Sequence, residues 1–287
     1  MSEMRGELDD VLDEVLGEEG AAGDDDEIEV EEAVSEAPTV AEKEACGSLE
    51  GLTEDELIPP VEEEEALPTT VRIGEVDGIP LFYGRDGAPH AAEFPIAPAF
   101  RDHLTRTVKM VRRRVPDGFG RLVRITSAGA FVNKPGFHGL GRAFDHDVWL
   151  FEEVEISPFR GDHASSSLAR RRRYWALAAL FRSRSAHVLH GEYNAAHRDH
   201  IHHDDGGPFA FTTTSEATVK LVQAVCNDIY GTSPRLVVDG DFGSASQTAL
   251  RDAMQRVHLE GDVSDLVQWR RFLRRTGRLG FRLSLGS

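Results

Sequence analysis

Apolar positions are irregular through the first 66 residues and become periodic from Pro68 onward, so folded structure is expected to begin there. Residues 70–73 and 79–83 are short apolar runs separated by a Val-Asp-Gly turn, which predicts two strands. Over residues 98–114, Phe100, Leu104, Val108 and Val111 recur at helical spacing. Residues 121–125 and 148–151 read as strands. Residues 165–183 read as a helix with Tyr174, Leu177, Leu180 and Phe181 inward, and residues 186–189 as a further strand. The four arginines at 170–173 are expected to form the solvated side of that helix. Beyond Thr212 the pattern turns helical, over residues 215–230, 244–257 and 264–275, with a glycine-punctuated turn at Val238-Asp239-Gly240-Asp241-Phe242-Gly243. The pattern therefore predicts an α+β domain over 69–212, a small antiparallel sheet with flanking helices. A small all-α three-helix domain over 213–287 follows it.

Residues 1–68 read differently. They hold 26 acidic side chains against two basic ones, Arg5 and Lys43, and few aromatics. Such a segment cannot bury enough apolar surface to offset its ordering entropy, so a disordered acidic tail is expected. Within it Leu8, Val11, Leu12, Val15 and Leu16 fall at helical spacing, a short island suited to docking on a partner.

Charge refines this division. The net charge of -18 is carried by the tail, and residues 69–287 hold 24 acids and 30 bases. A mildly basic body favours encounter with an anionic polymer such as a bacterial cell wall or nucleic acid. Two cysteines, Cys46 and Cys226, exclude a disulfide framework, and Cys226 sits in an apolar helical pattern as a small hydrophobe. The first residues lack the basic and apolar regions of a secretory signal, and no apolar run approaches a membrane span. Synthesis in the cytoplasm is expected, with any target outside reached by a route other than a standard signal peptide.

Histidine carries the chemistry. His138 and Asp145 are seven residues apart, joined through Gly139-Leu140-Gly141, a segment able to bend both toward one point. His200 and His202 are two apart, so on a strand they share a face, one able to bind a metal while the other lines the same pocket. Two imidazoles and a carboxylate without thiolate suit one catalytic zinc ion with an open coordination position. His146, Asp147, His203 and Asp204 stand beside these residues as additional polar partners or rim.

Residues 120–205 resemble the extensin-like C-terminal domain, a group within the D-Ala-D-Ala carboxypeptidase and Hedgehog-like zinc peptidase fold. The resemblance is carried by Ser127-Ala128-Gly129-Ala130-Phe131, by His138, Gly141, Ala143 and Asp145, and by the stretch from Tyr193 to His202. It implies the ligand set His138, Asp145 and His202. It also implies a general base at His200 or, three residues before the last ligand, at Asp199, with His197 assisting. On a regular strand Asp199 points away from His200 and His202, which favours His200; a turn at Arg198-Asp199 reverses that preference. Arg124 is a candidate anchor for a substrate carboxylate, and Tyr193 a further substrate contact. The chain departs from the group in lacking cysteines around the first block and in carrying Asn133-Lys134 where an arginine is usual. The region around Val219-Lys220-Leu221-Val222-Gln223, the turn at 238–243 and Gln247-Thr248-Ala249-Leu250 resembles a three-helix peptidoglycan-binding domain.

These resemblances imply a zinc-dependent murein peptidase that cuts stem or cross-link peptides; a wall substrate without a visible secretory signal then suggests a phage lysin or an injected effector acting on the cell wall or periplasm. The tail would then serve a phage or delivery-machine protein. The competing expectation is a non-catalytic wall-binding or structural protein that keeps a metal for stability.

Overall fold

The computed structural model describes residues 68–206 and 210–286, together with Val11. Val11 is helical, half-buried and packed against the core; the rest of the Leu8–Leu16 island and Cys46 lie outside the described residues. Two short strands, β1 (Val71–Ile73) and β5 (Phe94–Ile96), pair antiparallel. The main sheet contains β2 (Glu75–Val76), β3 (Ile79–Tyr83), β6 (Leu122–Gly129), β7 (Ala143–Phe151), β10 (Ile201–Asp204) and β9 (Val188–Leu189), in that spatial order. Strand β4 (His90–Ala91) adds to β3 and β8 (Glu155–Ile156) adds to β7.

The sheet is mixed, which corrects the antiparallel expectation, because β3 and β6 run parallel. The chain between them passes through helix α1 (Pro98–Arg112), and a connection through a helix can return the next strand in the same direction. Strand β7 is longer than its apolar run, extending back to Ala143 and so including Asp145. Its partner pairing hides that start from hydropathy, since the added residues are mostly polar.

Helices α1 and α2 (Leu168–Arg182) cover one face of the sheet, where Phe100 and Phe181 meet His203 and Phe181 meets Trp149. Three further helices follow: α3 (Glu216–Asp228), α4 (Ser244–Arg256) and α5 (Leu266–Leu283). Helix α5 runs well past Arg275, where the apolar pattern predicts its end. Gly277 and Gly280 do not stop it, because both face α2: a Cβ on Gly277 would lie 2.4 Å from Leu180 Cγ, and one on Gly280 3.0 Å from Ala176 Cβ. The glycines let two helices approach closely, so the three C-terminal helices share a continuous core with the sheet domain.

Of the arginine run at 170–173, Arg170 is exposed as expected, whereas Arg171, Arg172 and Arg173 form a seam against the C-terminal helices. Arg172 is 5% exposed and donates to the backbone oxygens of Asp228 and Leu283. Arg171 donates to Asp228 Oδ1 and Arg173 to the backbone oxygen of Ser284. Arg172 and Arg173 thereby satisfy carbonyls at helix ends, which have no partner within their own helix. At the turn before α4, Gln223 accepts from the backbone N–H groups of Asp239 and Gly240 and donates to Asp239 Oδ1. Cys226 is buried, and burial pushes its thiol up to about 12. No helix among the described residues is long and apolar enough to cross a membrane.

Candidate metal centre

The centre is built by strand register. Strands β7 and β10 pair antiparallel with His202 directly opposite Asp145. Side chains alternate along a strand, so Asp145 and His202 share one face while His146 and His203 point to the other, against α1 and α2. His138 arrives from the β6–β7 connection and is held by the Ala130 carbonyl, which accepts from its Nδ1. That connection folds tightly: a Cβ on Gly139 would lie 1.8 Å from the Lys134 carbonyl oxygen, so glycine is required for the close approach.

Three ligand atoms meet there. His138 Nε2 lies 3.1 Å from His202 Nδ1, His202 Nδ1 lies 3.0 Å from Asp145 Oδ1, and His138 Nε2 lies 3.2 Å from Asp145 Oδ1. A tetrahedral ion bonded at about 2.0–2.1 Å requires ligand atoms roughly 3.3–3.4 Å apart. The triangle is close to that size, so the group could hold a metal ion. Burial alone would push Asp145 up, but hydrogen bonds and charge from His138 and His202 hold it well below the usual carboxylate range.

The two histidines are oriented from behind, His138 by the Ala130 carbonyl and His202 by a carboxylate. His202 Nε2 faces Asp204 Oδ2 at 3.4 Å, and Asp204 also pairs with His187 Nδ1 at 3.0 Å and accepts from the Gly206 N–H. Despite its burial, Asp204 is kept well below its ordinary range by His187 and His202. A carboxylate on Nε2 leaves Nδ1 of His202 as the donor atom for a metal.

His200 stands beside the triangle. Its Nε2 is 3.7 Å from Asp145 Oδ1 and its Nδ1 is 2.9 Å from Asp199 Oδ1. His197 closes the same side, its ring centre 5.0 Å from that of His200, with Nδ1 donating to Asn194 Oδ1 at 2.7 Å. Asn194 caps the short turn Ala195–His197, which turns the chain so that Asp199 meets the ring of His200 from behind. Tyr193 packs against His197, with ring centres 5.7 Å apart.

Asp199 is engaged a second time, by Arg85 from the β3–β4 connection. Arg85 Nη1 donates to Asp199 Oδ2 at 2.5 Å, while its Nε and Nη2 grip both oxygens of Asp147 at 2.7 and 2.6 Å. Asp199 is raised by burial but pulled below its ordinary value by Arg85 and His200. Asp147 is raised, its burial outweighing Arg85. Arg85 itself is held protonated, since the two carboxylates outweigh the cost of burying it. The sequence carries no signal for Arg85, because the contact spans 114 positions to Asp199.

Arg124 is not brought to the centre. It pairs with Leu150, five residues along β7 from Asp145, and its guanidinium stacks over Phe82 at 5.2 Å. The strand thus places Arg124 apart from the His138, Asp145 and His202 group. His146 and His203 are also outside the centre. Trp149 Nε1 can only donate, so it fixes His146 Nδ1 as an acceptor, and His146 Nε2 then donates to His203 Nδ1 at 2.8 Å. Burial drives His146 down to about 3 and holds His203 well below its ordinary value, so both are neutral core rings.

Two clefts of about 450 and 560 Å³ lie elsewhere, the first lined by Lys109, Arg112 and Arg121, the second by Phe211, Phe242 and Met254. No family model, curated protein or solved structure matches this chain.

Proposed function

We propose that this protein is a zinc-dependent peptidase acting on the stem or cross-link peptides of bacterial peptidoglycan. The observation that carries the reading is the His138–Asp145–His202 triangle with His200 set beside it and backed by a carboxylate. A zinc ion held by these ligands would supply a Lewis acid for the scissile carbonyl and a water acidified toward neutrality. His200 Nε2 accepts the proton of the attacking water and returns it to the leaving amine. Asp199 accepts from His200 Nδ1–H, which fixes the ring with Nε2 as the basic atom. With one carboxylate oxygen on His200 and the other on Arg85, Asp199 is a partner of the base and not the base itself. His197 contributes a second imidazole to the wall nearest His200.

The wall substrate rests on the two sequence blocks of the peptidase resemblance and on the resemblance of α3 to α5 to a three-helix peptidoglycan-binding domain. Tethering of that kind raises local substrate concentration without altering the chemistry.

The test is mass spectrometry of fragments released from purified sacculi, with and without a zinc chelator, for the full chain and for His202→Ala. Chelator-sensitive peptide cleavage lost in His202→Ala is expected. Sacculi that bind the protein but release nothing would overturn the reading in favour of a non-catalytic wall-binding protein.

A further inference from the structure

Arg85 is 62 positions from Asp147 and 114 from Asp199, yet it joins them through four hydrogen bonds. Besides the contact to Asp199 Oδ2, its Nη2 donates to the Asp199 backbone oxygen at 3.3 Å. Its guanidinium plane lies over the Phe159 ring at 4.9 Å. One side chain thus ties the β3–β4 connection, β7 and the approach to β10 together on the metal-ligand face.

We propose that Arg85 is a positioning residue for His200, acting through Asp199, an inference that rests on the peptidase reading for its kinetic consequence. The geometry carries it in three steps. Asp147 is 2% exposed on its side chain, and its two-oxygen grip fixes the plane of Arg85. The remaining edge of Arg85 then holds Asp199 by both a carboxylate oxygen and its backbone oxygen. Asp199 in turn presents Oδ1 to His200 Nδ1. Without Arg85, Asp199, whose side chain is 45% exposed, is free to rotate into solvent. The His200 ring then loses the acceptor that selects its Nδ1–H tautomer, and Nε2 is no longer reserved as the basic atom. Lysine cannot reproduce this arrangement in full, since a point charge does not span two carboxylates in a fixed plane.

The experiment compares wild type, Arg85→Gln, Arg85→Lys and Asp199→Asn as full-length protein. The first readout is the histidine ring ¹⁵N–¹H spectrum at neutral pH, which reports the His200 tautomer and needs no turnover. An Nδ1–H tautomer in the wild type that becomes mixed in Arg85→Gln and in Asp199→Asn is expected. The second is kinetics on sacculus-derived peptides: kcat falls about 10- to 100-fold in Arg85→Gln with KM within about twofold, the range for loss of a group that orients an active-site histidine. Arg85→Lys recovers part of kcat, and Arg85→Gln/Asp199→Asn is no worse than the poorer single variant, because both act on one chain of contacts. An unchanged His200 spectrum in a folded Arg85→Gln overturns the proposal, as does a KM effect with kcat intact. If Arg85→Gln does not fold, Arg85→Lys and Asp199→Asn carry the same two readouts. A wild type with no chelator-sensitive cleavage removes the peptidase reading alone, and the ring spectra still decide whether Arg85 positions His200.

Discussion

His202 is held at both ring nitrogens, one toward His138 and Asp145 and the other toward Asp204. Removing the Asp204 charge leaves the ligand in place but frees its tautomer. In Asp204→Asn zinc affinity is expected to drop about 10- to 100-fold, measured by competition with a chromogenic chelator. An affinity equal to wild type would show that Asp204 serves only His187 and the Gly206 N–H. At this scale the residue types of the centre were readable: His138, Asp145, His197, Asp199, His200 and His202 all stand out in two short blocks. Their supports were not. Arg85, the Ala130 carbonyl and the pairing of His187 with Asp204 depend on contacts between distant segments or on backbone atoms, which carry no residue-type signal.

At the scale of elements, the close contact of α2 and α5 depends on absent side chains. A valine at Gly277 would place its Cβ within 2.6 Å of two Leu180 atoms and 3.1 Å of the Ala176 carbonyl oxygen. Valine is the better helix former by a few tenths of a kcal/mol, but forcing extra carbons into a packed core costs about 1–3 kcal/mol, so the clash dominates. Gly277→Val is expected to lower the thermal midpoint by several degrees in a calorimetric scan; an unchanged midpoint would mean that the two helices separate freely. The same packing explains two departures from the sequence pattern. The helix continued through Gly277 because tertiary contact outweighed a weak helix former, and Arg172 and Arg173 were turned inward because carbonyls at other helix ends lie against them.

For the whole molecule, the interior carries neutral histidines. Burial drives His103 and His190 to about 3, with His103 bonded to Ser185 Oγ and His190 donating Nε2–H to the Ala217 carbonyl. The unfolded chain protonates these rings below about pH 6.5, whereas the folded chain does so only near pH 3, so the unfolded state gains protons first as pH falls. The stabilisation is complete above pH 6.5 and is lost through the interval down to 3, at up to about 1.4 kcal/mol per pH unit for each ring. Denaturation by urea at pH 7 and pH 5 is expected to show a clear loss of stability at the lower pH, reduced in His103→Gln. Equal midpoints at the two pH values would mean that these rings are protonated in the folded state or reach solvent.

The amino-acid sequence by itself determined where the periodic pattern begins, that helices and strands are mixed before Thr212, that helices alone follow, and which histidines and aspartates could bind a metal. These properties reside in local spacing and residue chemistry, so they need no knowledge of distant contacts. Tertiary structure alone decided that β3 and β6 run parallel, that His202 faces Asp145 across paired strands, and that Asp199 hydrogen-bonds the ring of His200. It also carried Arg124 away from the centre and brought Arg85 to it. Strand register and long-range ion pairing depend on which segments become neighbours, and one chain's hydropathy does not encode that choice residue by residue.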